Sequence, residues 1–130
     1  QSVVTDGMNA ISDGTLQRWF TQSYLANNKI EVERVKSLIE ITPPTGYAAC
    51  AQAIKMLDQL QDLARISAPT LILVGADDPS TPPAASKVIY KHVTHSKMEV
   101  VAHASHFLNV EQSMRFNETL LSFLNDQENI

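Results

Sequence analysis

Two apolar runs that each end in a polar loop constrain this chain most. Thr70-Leu71-Ile72-Leu73-Val74 is apolar on consecutive residues and rich in β-branched side chains. Such a run is expected of a parallel strand covered on both faces, where period-two alternation is lost. A second strand is predicted over Lys97–Ala102. Between them Pro83–Val93 reads as a helix, with a proline acceptable in its first turn because that N–H has no intrahelical partner. A closing helix follows from Val110 or Glu111 to Asn125, with Phe116, Leu120, Leu121, Phe123 and Leu124 largely on one side. Strand-helix-strand-helix implies a right-handed parallel crossover and an α/β fold class. Two strands do not make an independent sheet with two covered faces. The pattern therefore expects neighbouring strands that this chain does not contain.

The chain divides near residue 65, and Met8–Arg65 reads as helical. Asp13-Gly14-Thr15-Leu16 opens a run in which Leu16, Trp19, Phe20 and Tyr24 can share one face, and Asn27-Asn28 closes it. A second helix is predicted over Ile30–Ile41, with Val32, Val35, Leu38 and Ile39 inward. Glu31, Glu33, Arg34 and Lys36 face outward. Thr42-Pro43-Pro44-Thr45-Gly46 breaks it, since proline lacks a donor and restricts the residue before it. A third helix runs from Tyr47 to Met56 or Leu57 on alanine propensity. Asp58–Ile66 is a connector with room for one more helical turn.

Composition narrows the function classes. The chain has 130 residues, 44% hydrophobic and 18% charged, which suits a globular protein. Its net charge of −4 and the absence of a Lys/Arg cluster argue against a nucleic-acid surface. No apolar run approaches the ~20 residues that cross a bilayer. The start, Gln1-Ser2-Val3-Val4-Thr5-Asp6, has no basic or apolar signal-peptide region, and without an initiator Met it suits a chain that begins mid-protein. Cys50 is the one cysteine, so an internal disulfide or a cysteine zinc site is excluded. It reads as a small buried apolar residue on a helix, and the reducing cytoplasm is the expected compartment.

The chemistry sits at the strand ends, where ligands bind in open parallel sheets. Asp77 and Asp78 follow the first strand and His106 follows the second, so one helix and one strand separate them and both can face one crevice. An acid and then a histidine is the order of the last two members of a Ser-Asp-His triad, in which the acid fixes the imidazole tautomer and stabilises the imidazolium. Spacing alone does not separate Asp77 from Asp78, and both, with Thr81, also read as turn and cap residues before the helix at Pro83. His106 reads equally as a helix-start residue bonded to backbone. His92, His95 and His103 have no acid in a comparable place. No G-x-S-x-G nucleophile elbow, metal-ligand spacing or phosphate-cradling glycine loop occurs in the sequence. Ser105 adjoins His106 but lacks the strand-turn-helix glycine context of a nucleophile. In the helical half, Trp19, Phe20, Tyr24 and Met8 could line an apolar ceiling over the crevice, or simply pack. Arg18 could pair with a substrate carboxylate, or stand as a solvated charge.

Pro69-Thr70-Leu71-Ile72-Leu73-Val74-Gly75-Ala76-Asp77-Asp78-Pro79-Ser80-Thr81-Pro82-Pro83 resembles the acid-bearing strand and loop of the α/β-hydrolase family. Ala104-Ser105-His106-Phe107-Leu108-Asn109-Val110-Glu111-Gln112 resembles its histidine loop. The resemblance implies Asp78 as triad acid, three residues after the glycine, and His106 as base. Within the family, Arg18-Trp19-Phe20-Thr21, Thr42 through Cys50, and His106 through Gln112 with Phe116 onward resemble the 3-oxoadipate enol-lactonase branch. That branch implies a small lactone or ester substrate, which the lid reading sets near Trp19 and Arg18, no cofactor, and aromatic-compound catabolism by the β-ketoadipate route in a bacterial cytoplasm. The resemblance covers only the C-terminal half of the family's fold. It implies a helical lid segment over residues 1–62 and a C-terminal α/β core segment over 63–130. The serine, its elbow and the oxyanion loop would lie in a missing N-terminal half of the same enzyme. An exposed parallel edge at Thr70–Val74 would also invite self-association.

Overall fold

A computed structural model describes residues 2–128, and the outermost residues of the 1–62 and 63–130 segments lie outside that range. The described chain forms two compact units. Within the described residues the first comprises 2–17 and 22–58, and the second 18–21 and 59–128.

The first unit is helical. Helix α1 (Ser2–Asp6) precedes the region read as helical from sequence. It ends on Gly7 at φ +78°, whose N–H closes onto the Val3 carbonyl at 3.0 Å. That left-handed stop is what glycine offers at no steric cost. Helix α2 (Asn9–Trp19) contributes Ser12, Thr15 and Leu16 to the interior. Helix α3 (Gln22–Asn27) packs against α4 (Lys29–Glu40). Within this unit Lys36 Nζ meets Asp13 Oδ1 at 2.7 Å and Ser12 Oγ donates to Glu40 at 3.1 Å, tying α2 to α4.

Helix α4 buries Val35 and Ile39, whereas Leu38, expected inward, is 54% exposed. At about 100° per residue, Val32, Val35 and Ile39 span a narrow arc that Leu38 misses by roughly a quarter turn. Helix α5 (Pro44–Lys55) starts three residues earlier than the sequence suggests. Pro43 is its extended N-cap and Pro44 its first helical residue, so the Pro-Pro pair begins a helix as well as ending one. Helix α5 packs against α1 but buries none of its own residues. Cys50 is on it and exposed, not buried.

The run from Leu16 to Tyr24 does not form one helix. Helix α2 stops at Trp19, and residues 18–21 belong to the second unit. The reason is tertiary. The Trp19 carbonyl accepts from Phe107 N–H at 2.9 Å, and Thr21 N–H donates to the Glu111 carboxylate at 2.7 Å. In a continuous helix those groups would bond four residues away in the chain.

The rest of the second unit begins with a 3-10 helix (Leu60–Arg65) that packs on helix α6 (Pro83–His92). Strands β1 (Thr70–Gly75) and β2 (Ser96–Val101) pair in parallel, from Thr70 opposite Ser96 to Gly75 opposite Val101. Helix α6 connects them and packs on both. Val74 and Gly75 are buried, but Leu71, Ile72 and Leu73 are only half-buried, less than a strand covered on both faces requires. Where one closing helix was expected there are two, α7 (Leu108–Glu111) and α8 (Ser113–Glu128). They break at Gln112, whose side chain donates to the His103 carbonyl at 3.0 Å. On α8, Phe116, Leu120 and Phe123 are half-buried, while Leu121 and Leu124 are exposed. A core of Val101, Ala104 and Leu108, with Leu73 and Phe116 against it, lies beneath the loop after β2.

Candidate functional site

The loops after β1 and β2 are held together by backbone. Ala76 N–H donates to Val101 at 2.8 Å and Asp77 N–H to Ala104 at 2.9 Å. Gly75 makes this approach possible. A Cβ there would lie 2.3 Å from the Ser105 carbonyl oxygen and 2.4 Å from that of Ala104. No other residue fits without moving one loop off the other.

The structure brings Asp78, not Asp77, to the histidine. Asp77 is exposed and binds through its backbone, whereas Asp78 is 5% exposed. Asp78 Oδ1 accepts from Ser80 N–H at 2.8 Å and Thr81 N–H at 3.0 Å. Oδ2 accepts from the Thr81 hydroxyl at 2.8 Å and lies 2.8 Å from His106 Nδ1. Burial by itself pushes the Asp78 carboxyl up. The bonds from Thr81 N–H, His106, the Thr81 hydroxyl and Ser80 N–H outweigh it and hold the carboxyl below its ordinary value. An ionised carboxylate can only accept. The Nδ1 of His106 must therefore carry the proton, which leaves the Nε2 lone pair free to act as a base. Thr81 Oγ1 also stands 3.2 Å from Nδ1, so it touches both partners.

The aromatic residues read from the helical half divide. Trp19 and Phe20 join His106 and Phe107 in the second unit. The Trp19 ring stacks on Phe107 at 4.4 Å between centroids and stands 6.4 Å from the His106 ring. Phe20 meets Phe107 edge-on at 5.6 Å. Met8 is buried and belongs, with Tyr24, to the first unit. Arg18 has an exposed side chain, and its carbonyl accepts from the Ser105 hydroxyl at 2.8 Å. Ser105 is 2% exposed with its hydroxyl spent on that carbonyl, which is no place for a nucleophile. Among the other histidines, His92 Nδ1 bonds to Val88 within α6, while His103 sits at φ +56° beyond β2.

Sequence reasoning missed the part played by Thr81, Gly75, Phe107 and Glu111. Asp78 and Thr81 were legible as turn residues before Pro83, and that turn is what anchors the acid, whereas the cap reading does not hold, because the N-cap of α6 is Pro82 and no side chain caps the helix. Glu111 had no local signature, because its partners Thr21 and Ser105 are distant in sequence or on backbone. A separate groove of about 650 Å³, lined by Leu71, Tyr90, Lys97, Glu99, Arg115 and Phe123 among others, contains neither Asp78 nor His106. Its cations are paired, Lys97 with Asp126 and Arg115 with Glu99.

An acid and a histidine joined beyond two parallel strands point to known proteins. The chain is 35% identical over 120 residues to 3-oxoadipate enol-lactonase 2 of Acinetobacter baylyi, covering 92% of this chain and 45% of that protein. The crystal structure of the enol-lactonase from Burkholderia xenovorans superposes with a TM-score of 0.93 at 27% identity, over 95% of this chain and 47% of that one. A thermophilic esterase from Thermogutta terrifontis superposes with a TM-score of 0.89 at 27% identity, over 95% and 46%. The chain thus spans about half the length of these relatives. The family model described as alpha/beta hydrolase fold matches residues 10–113, which take in both strands, the acid loop and His106, and the chain belongs to that family.

Proposed function

We propose that this chain carries the acid and the base of a serine-type hydrolase that opens a small enol-lactone to a 3-oxo acid. The observation that carries the reading is the 2.8 Å bond between buried Asp78 and His106 Nδ1 beyond two parallel strands. The likeness to enol-lactonases supports the substrate class. His106 Nε2 takes the proton from a serine hydroxyl supplied by the half of the relatives' length that this chain does not span. The serine oxygen attacks the lactone carbonyl. As the tetrahedral intermediate collapses, the ring carbon–oxygen bond breaks and His106 returns the proton to the departing enol oxygen. Water, deprotonated by His106, then releases the acyl group and restores the serine. Asp78 holds the tautomer and stabilises the imidazolium in both halves. Trp19, standing over Phe107 and His106, gives the substrate an apolar wall, and Arg18 beside it reaches for a substrate carboxylate. Alone, the chain is inactive on this reading and pairs with the missing half.

The test is turnover of an enol-lactone against a simple aryl ester by the full-length protein, wild type and Asp78→Asn. Lactone preference with a roughly 10⁴-fold loss in the variant is expected. Wild-type turnover in the variant would overturn the roles of Asp78 and His106. A second reading, a broad carboxylesterase or haloperoxidase-like hydrolase, draws on the esterase likeness and predicts a wide preference for the aryl ester. Labelling with a fluorophosphonate probe, read by intact mass, separates a third possibility. An association module alone takes no label, whereas a split enzyme shows the label on a co-purifying species.

A further inference from the structure

Glu111 ties together the two segments that flank the His106 imidazole. One oxygen accepts from Thr21 N–H at 2.7 Å and from the Thr21 hydroxyl at 2.8 Å. The other accepts from Ser105 N–H, the amide just before His106. Two further bonds run alongside. Ser105 Oγ donates to the Arg18 carbonyl at 2.8 Å and Phe107 N–H to the Trp19 carbonyl at 2.9 Å. The segment 18–21 is thereby clamped to the histidine loop, with Trp19 stacked on Phe107 and beside His106. Nothing in the reaction described above uses Glu111.

We infer that Glu111 is a positioning residue, which sets the Trp19 and His106 rings relative to each other by holding Thr21 with one oxygen and Ser105 with the other. The inference rests on the hydrolase reading for its kinetic consequence, but not for its geometry. Three donors converge on this side chain, and only an acceptor-only group satisfies them all. A glutamine keeps one acceptor oxygen for Thr21 and turns an NH₂ donor toward the Ser105 N–H. A buried donor left facing a donor loses its bond and loosens the loop it belongs to. An imidazole displaced by about 1 Å costs up to ~10²-fold in rate, because proton transfer depends on the near-attack geometry.

The experiment compares the full-length wild type with Glu111→Gln and Thr21→Val. Two readouts are taken at 25 °C: the nuclear Overhauser contact between the Trp19 and His106 rings, and kcat and KM on the preferred ester or lactone. Expected for Glu111→Gln is loss of the ring contact and a fall in kcat of about 10- to 100-fold, with KM changed about 2-fold or less. Thr21→Val keeps two of the three bonds and moves both readouts the same way by a smaller step, about 3-fold in kcat. A Glu111→Gln protein that melts earlier but keeps the ring contact and full kcat has lost only a structural bond, and overturns the inference. Should Glu111→Gln fail to fold, a folded Thr21→Val with unchanged contact and kcat overturns it equally. A wild type without hydrolase activity refutes the functional reading, and the ring contact still decides the role of Glu111.

Discussion

At the residue scale the site depends on one carboxyl group held ionised by four donors. Asp78 has its carboxyl depressed in the folded state despite burial, through Thr81, His106 and Ser80. Its linkage to stability follows. The contribution is fully present above the unfolded carboxyl value, about 3.9, and is lost as pH falls through the lower folded value. Asp78→Asn is therefore expected to flatten the acid limb of stability below about pH 4, measured as urea midpoints across pH. An acid limb identical to wild type would contradict the depressed carboxyl. Thr81→Val removes the hydroxyl from Oδ2 and leaves both backbone donors. A loss of about 2 kcal/mol at pH 7 is expected, since a hydrogen bond to a charged group is at stake. The difference should shrink in acid, where the carboxyl is neutral in both proteins. The acid and the histidine were legible as residue types at strand ends. The choice of Asp78 over Asp77 was not legible from spacing, because both lie in one loop and only the folded turn decides which of them is buried.

At the element scale, backbone hydrogen bonds over distance override local preference. Residues 16–24 have helical spacing, yet α2 ends at Trp19 because Phe107 and Glu111 take the groups that would extend it. The closing helix breaks at Gln112 in the same region. Both breaks were invisible to periodicity, which registers only neighbours within one turn. The strands and α6 were legible to within a residue, because β-branched runs and Pro-Pro signals act locally. The end of β1 offers the sharpest test. Gly75→Ala places a Cβ within 2.4 Å of two backbone oxygens that cannot step aside. A loss of about 3 kcal/mol is expected in denaturant unfolding, the upper range for overpacking. Stability within 0.5 kcal/mol of wild type would mean that the two loops part easily.

At the scale of the whole molecule, apolar surface is left uncovered. Met56, at 80% exposure, and Ile54 and Leu57 near it face solvent in the first unit, as do Val100, Met114 and Leu121 in the second. No helix among the described residues is long and apolar enough to cross a membrane, so these residues do not form such a span. Surface of this kind favours association. The purified chain is expected to show a sedimentation coefficient that rises with concentration, and co-expression with an N-terminal half from a matching relative should suppress the rise. A strict monomer at high concentration would count against both. The sequence by itself determined the parallel crossover and the pair of residue types at its strand ends, because hydrophobic run length, proline and glycine act through their nearest neighbours, while the family followed from the resemblance of the motifs at Pro69–Pro83 and Ala104–Gln112. The resemblance named Asp78 over Asp77 where spacing did not, and only the tertiary structure decided how Asp78 is buried, where α2 stops, and that Thr81, Gly75 and Glu111 hold the site. Each of those depends on a hydrogen bond or a steric contact whose geometry is set by the folded loops, and no local pattern specifies that geometry.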